Sequence, residues 1–194
     1  MKNFGISIAL AATLVFVCAT LANAELLDRG GGLIYDDALD ITWLQNANYP
    51  GNTMTWLEAD DWAASLVFQG FDDWRLPATD ISCSDYKCTG NEMGHLFYTD
   101  GITSDTMGVF SNVKPSMYWS STEYDDLTAW RFNFKYGSQG TSAKDLTRYA
   151  WAVRDGDSSV PVAPEPVSSA LFLIGGATLT ARCWSRKKAG RSSI

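Results

Sequence analysis

Histidine is almost missing from this chain: of 194 residues, only His95 carries an imidazole. A Ser-His-Asp or Cys-His nucleophile system therefore has to pass through one position. No Gly-x-Ser-x-Gly turn accompanies it to present a serine. Leu96, Phe97 and Tyr98 follow His95 directly, the setting of a hydrogen-bonded packing residue. Positive charge is also thin. Residues 25–163 hold 21 acidic against 9 basic side chains, a net charge of −12, whereas the whole chain stands at −7 because its two ends are basic. Binding a phosphate backbone needs clustered cations, so nucleic acid is excluded as a partner. An acidic surface suits solubility outside a cell, and it allows calcium without requiring it. Cysteine is scarce as well, and of the four, Cys18 and Cys183 sit in apolar end segments. That leaves Cys83 and Cys88, in a loop rich in Ser, Asp and Gly, where a small disulfide suits an oxidising compartment. Two thiols with one distant imidazole make a poor zinc set, so no metal site is assigned to them.

Both ends read as targeting segments. Lys2 precedes a nearly uninterrupted apolar run from Phe4 to Leu21, and Ala22-Asn23-Ala24 supplies the small-x-small pattern read by signal peptidase. Cleavage is expected after Ala24. Near the other end, Pro164-Glu165-Pro166 leads into a run from Val167 to Ala181 without an ionisable side chain, then Arg182, Arg186, Lys187, Lys188 and Arg191. The apolar run is short for a bilayer core, which takes roughly 20 helical residues, and the basic cluster resists crossing the membrane. The proline-glutamate-proline motif, apolar helix and basic end together resemble the PEP-CTERM sorting signal of Gram-negative bacteria. That resemblance implies recognition by an exosortase at the inner membrane, then delivery to the cell envelope or extracellular matrix. The expected division is a signal peptide over 1–24, a domain over 25–158, a linker over 159–163 and a sorting signal over 164–194 with a transmembrane-like helix.

Within the body, the stretch "GGLIYDDALDITWLQ" predicts a hairpin, with strands at 33–35 and 41–44 and an aspartate-rich turn. Thr55 with Glu58 matches a capping box, and Trp56, Ala59, Trp62, Ala63 and Leu66 recur at helical spacing, which predicts a helix over 56 to about 67 ended by Gly70. Residues 80–116 read as long, loop-rich territory with a helical turn or two near 92–98. Strands resume at 118–121. Trp130, Phe132, Phe134 and Tyr136 alternate with polar residues, as do Tyr149, Trp151 and Val153, so each set predicts a strand with one buried face. The ten residues between, with Gly137 and Gly140, are expected to be a polar hairpin connection. The plan is α+β, with an antiparallel sheet, at least one helix, long irregular loops and the two ends of the domain in one sheet.

The order of "GLIYDDALDITWLQNA", "MTWLEADDWAASL", "GFDDWRLP", "EMGHLFY", "YWSSTEY", "AWRFNF" and "YAWAVR" resembles the Lcl C-terminal domain family over roughly residues 28–155. The resemblance implies a fold related to C-type lectins and to the formylglycine-generating sulfatase-modifying enzymes. Those enzymes use a reactive cysteine pair near the chain end; here "RYAWAVRDGD" has none, so that activity is not carried over. Carboxylate pairs of the glycosidase kind are not singled out either, because 21 acids give many accidental pairs. In "DDWRLP", Trp74 and Leu76 are expected in the core, with Arg75 pairing a nearby carboxylate. Glu123, Asp125 and Asp126 lie in a loop between two predicted strands and are the candidate ligand groups, for sugar hydroxyls or calcium. The Glu-Pro-Asn and Trp-Asn-Asp triplets of calcium-dependent lectins are missing, which counts against calcium-mediated sugar binding. The leading expectation is a non-catalytic surface or matrix module that recognises glycans or extracellular polymer. A structural matrix protein comes next, and a hydrolase or modifying enzyme third.

Overall fold

The computed structural model describes residues 25–159. The predicted signal peptide with its cleavage residues Ala22 and Ala24, the Pro164-Glu165-Pro166 motif and the apolar helix lie outside them. Among the described residues no helix is long and apolar enough to cross a membrane. The domain is α+β: eight strands in two antiparallel sheets, with two helices.

The first sheet has the order β1-β2-β3-β8. β1 (Leu26–Gly30) and β2 (Leu33–Asp36) form a hairpin that pattern reading did not anticipate. Its turn uses Gly31 and Gly32 at φ +63° and +86°, values a side chain would resist. The predicted hairpin of β2 and β3 (Ile41–Leu44) is present, with Leu33 opposite Leu44. At its turn, Asp36 Oδ1 accepts from the Ala38 and Leu39 amides at 3.1 and 3.2 Å. β8 (Val153–Asp155) closes the sheet against β3, so β1 and β8 form its two edges.

The second sheet has the order β4-β7-β6-β5, from β4 (Asp85–Tyr86), β5 (Met117–Glu123), β6 (Thr128–Asn133) and β7 (Ser138–Ala143). Three expectations change here. The run from Trp130 to Tyr136 is not one strand with a single buried face: β6 ends at Asn133, which is buried, and Tyr136 is exposed. The polar connection after Tyr136 is itself a strand, β7, paired with β6 along its whole length. Its one fully buried side chain, Gln139, donates to the Asp80 and Cys83 carbonyls at 2.9 and 2.7 Å, so polar contacts replace the apolar pattern that marks a strand. The segment "RYAWAV" is not a one-faced strand. Ala150, Trp151, Ala152 and Val153 are all buried, because the segment runs as a strap between the sheets. Tyr149 exchanges backbone bonds with Met117 and Trp119 of β5, and Ala152 accepts from Leu44 of β3.

Helix α1 (Trp56–Ser65) has the predicted capping box, with Thr55 and Glu58 bonded reciprocally. It stops two residues early, because Leu66 turns extended at ψ 126°. Trp56, Ala59 and Ala63 pack on Leu76, Trp119, Ala129 and Ala150. The main core lies between the sheets, around Trp43, Phe110, Tyr118, Phe132, Phe134 and Trp151. Helix α2 (Glu92–Tyr98) is capped by Asn91, whose Oδ1 accepts from the Gly94 amide at 2.6 Å.

As expected, Trp74 and Leu76 are buried and Arg75 is an ion-pair residue. Its guanidinium grips Glu92 in a fork (2.9 and 2.8 Å) and reaches Asp155 Oδ1 at 2.6 Å. Burial opposes the charge, but the two carboxylates outweigh it and raise the guanidinium pKa above its usual value. The network ties α2 to β8. Arg75→Met should cost about 2–3 kcal/mol, less than a fully buried pair because a third of the side chain meets solvent. Urea denaturation checks this, and a loss below 0.5 kcal/mol, roughly the scale of an ordinary surface substitution, would show the network to be ornamental.

Candidate functional site

The loop predicted to carry ligand groups connects β5 to β6. Glu123 ends β5 and pairs with Lys144 Nζ at 3.0 Å. Asp125 turns inward: its Oδ1 accepts from the Leu127 amide, the Thr128 amide and the Thr128 hydroxyl at 2.9, 2.7 and 2.8 Å. These bonds hold its carboxyl below the ordinary pKa. Asp125 therefore builds the loop, and only Asp126 presents a carboxylate with no such commitment. The three side chains do not converge on a common point; among the described residues, another set does so.

What the loop forms is one wall of a groove of about 540 Å³, closed by the start of α1 and the end of β7 and lined by Thr55, Leu57, Asp126, Leu127, Ala143, Lys144 and Asp145. Leu57 and Leu127, both in this lining, are 63% and 77% exposed and so offer apolar surface to solvent. Tyr124, in the same loop, is 63% exposed. Lys144, which pattern reading passed over, organises this wall. Its ammonium stands 4.8 Å from the centre of the Trp56 ring and also donates to the Asp126 carbonyl at 3.3 Å. Its own amide and carbonyl bond Leu127 and Trp56. No local sequence pattern marks a lysine that joins a helix start to a distant loop.

The expected disulfide is present, with Cys83 and Cys88 joined and their Cα atoms 5.6 Å apart. It fixes the loop ahead of α2, where the Cys88 carbonyl accepts from Asn91 Nδ2 at 2.8 Å. Among the described residues both thiols are thus consumed, so neither serves as a nucleophile.

His95 is more than a packing residue. It stands with Asp36 and Asp100 in a buried cluster whose three ligand-type atoms lie within 4.8 Å of one another. Asp36 Oδ2, His95 Nε2 and Asp100 Oδ2 are all buried without a hydrogen-bond partner. Each such atom ordinarily costs about 1–3 kcal/mol, and more for a charged group. Burial raises the Asp36 pKa and pushes that of Asp100 up to about 6, against the favourable pull of His95. Nothing in the sequence links Asp36 to His95; the fold brings the β2–β3 turn against α2.

A model of the Lcl C-terminal domain matches residues 32–154. No curated protein matches the chain. The match leaves out β1 and the last residue of β8 but covers the other strands, both helices, the groove and the His95 cluster, and the chain belongs to the Lcl C-terminal domain family.

Proposed function

We propose that this protein is an exported, non-catalytic recognition module that binds glycan or extracellular polymer through the groove beside Lys144. The groove carries the reading. Exposed Leu57 and Leu127 offer apolar contact for the C–H faces of sugar rings, and Asp126, Asp145 and Lys144 offer hydrogen bonds to hydroxyls. Its walls stand on packed sheet and helix, so little order is lost on binding. A relation to the C-type-lectin and sulfatase-modifying folds belongs to the same proposal. The acidic groups at the β5–β6 loop contribute through Asp126, and calcium is not needed.

Glycan-array and exopolysaccharide binding by the whole exported protein tests this. Leu127→Asp should weaken binding about tenfold or more while the fold persists, and chelator should change nothing. Unchanged binding in the folded variant would eliminate the groove; no binding by the parent protein would favour a structural matrix component.

Export rests on the Ala22-Asn23-Ala24 and Pro164-Glu165-Pro166 motifs. One detail of the domain supports cleavage after Ala24: the Glu25 nitrogen donates to Asp37 Oδ1 at 2.7 Å, and cleavage would make it an ammonium beside that carboxylate. An exosortase would then process the tail at the inner membrane before release to the envelope or matrix. Alanine in place of Pro164, Glu165 and Pro166 should leave a larger, membrane-retained form on immunoblots of cell fractions. Equal release of a product of unchanged size would sink the sorting assignment.

A further inference from the structure

We propose that Asp36, His95 and Asp100 form a binding site for one divalent transition-metal ion, with zinc the best fit. The reading is independent of the groove, since the two share no residue.

Three observations converge. One ligand-type atom from each of Asp36, His95 and Asp100 lies within 4.8 Å of the other two, and Asp36 Oδ2, His95 Nε2 and Asp100 Oδ2 are buried with no hydrogen-bond partner. Asp36 is 1% exposed, and the Asp100 side chain 7%, so solvent does not satisfy them. A proton shared between His95 and Asp100, whose atoms stand 3.7 Å apart, would leave Asp36 Oδ2 unpartnered. A cation engages all three. The 3.7 Å gap is also close to the roughly 3.4 Å that separates two ligands held by tetrahedral zinc.

The backbone sets the places of the three residues, and Asp36 is also held through its other oxygen. The other oxygen of Asp36 is held by the Ala38 and Leu39 amides, which leaves Oδ2 uncommitted. His95 sits in α2, and its carbonyl accepts from the Asp100 amide at 3.2 Å, which sets the spacing of the two residues. The bonds to Asp36 are the kind of outer support that orients a metal-binding carboxylate. Of the three residues, Asp100 also lines a cleft of about 360 Å³, together with Thr99 and Glu25. A water molecule would complete a four-coordinate zinc site. One imidazole with two carboxylates suits zinc or manganese, whereas calcium prefers six to eight oxygens.

The test uses the full mature chain, purified without reductant so that the Cys83–Cys88 bond is intact, and stripped with chelator. Zinc, manganese and calcium chlorides are then titrated separately, with bound metal counted by mass spectrometry after desalting. One zinc per chain is expected, with a rise in Tm of about 5–10 °C at a hundredfold excess over Kd. His95→Gln and Asp100→Asn should each weaken zinc binding about tenfold or more while near-ultraviolet circular dichroism stays native. Less than a tenth of an equivalent at saturating zinc would overturn the site. So would equal binding by the folded variants, which would mark the uptake as loose attachment to surface acids. If His95→Gln fails to fold, Asp100→Asn alone decides.

Discussion

Trp151→Ala should remove about 3–5 kcal/mol of stability. Trp151 lies at the centre of the aromatic core, with ring centroids of Trp43 and Phe110 at 4.9 and 5.0 Å and those of Phe134 and Tyr118 at 5.6 and 5.9 Å. Its indole nitrogen donates to the Leu44 carbonyl at 2.7 Å. Truncation opens a cavity between rigid rings that cannot collapse into it, and it strands a buried carbonyl. Domains of this size hold only about 5–15 kcal/mol in all, so the variant should melt more than 10 °C below the parent. Trp151→Phe keeps most of the volume and loses the hydrogen bond, so its cost should fall near 1–2 kcal/mol. A Trp151→Ala protein melting within 2 °C of the parent would contradict the assigned packing.

Gly94→Ala should cost about 3 kcal/mol, although alanine normally strengthens a helix. A Cβ at Gly94 would stand 1.9 Å from the Cys88 carbonyl oxygen and 2.5 Å from Asn91 Nδ2. The carbonyl belongs to backbone held by the disulfide, so it cannot swing aside. Either α2 moves away or its Asn91 cap opens, and the cap alone is worth about 1 kcal/mol. Limited proteolysis should then cut the 81–91 loop faster, alongside a lower urea midpoint. Parent-like behaviour in both measurements would refute the close approach.

These sites differ in how visible they are before folding. The β2–β3 hairpin, α1 with its capping box and the Cys83–Cys88 bond were legible because each is set by neighbours in the chain. β7 was not, because "SQGTSA" has no apolar alternation; the strand exists because β6 and β4 hydrogen-bond to it from either side. Trp151 and Val153 were legible as buried, but the opposite face was hidden, since Ala150 and Ala152 read as neutral until two sheets press on them. The acidic loop was found, but its division of labour was not. Only coordinates separate Asp125, which braces its own turn, from Asp126, which faces the groove. The cluster at His95 needed residues 36 and 100 brought together by tertiary structure, and no spacing rule contains that.

The strap from Arg148 to Val153 bears on the order of events during synthesis. Its partners, Leu44, Met54, Arg75 and Met117, all leave the ribosome earlier, and they are spread over most of the domain. Trp43 and Trp151, which touch at the core, are separated by more than half the chain. Such non-local closure makes folding slow. The core between the sheets is not complete until Trp151 and Val153 have been translated. The last segment of the domain to be made is thus the one that joins its two sheets, so the fold is completed from its C-terminal side.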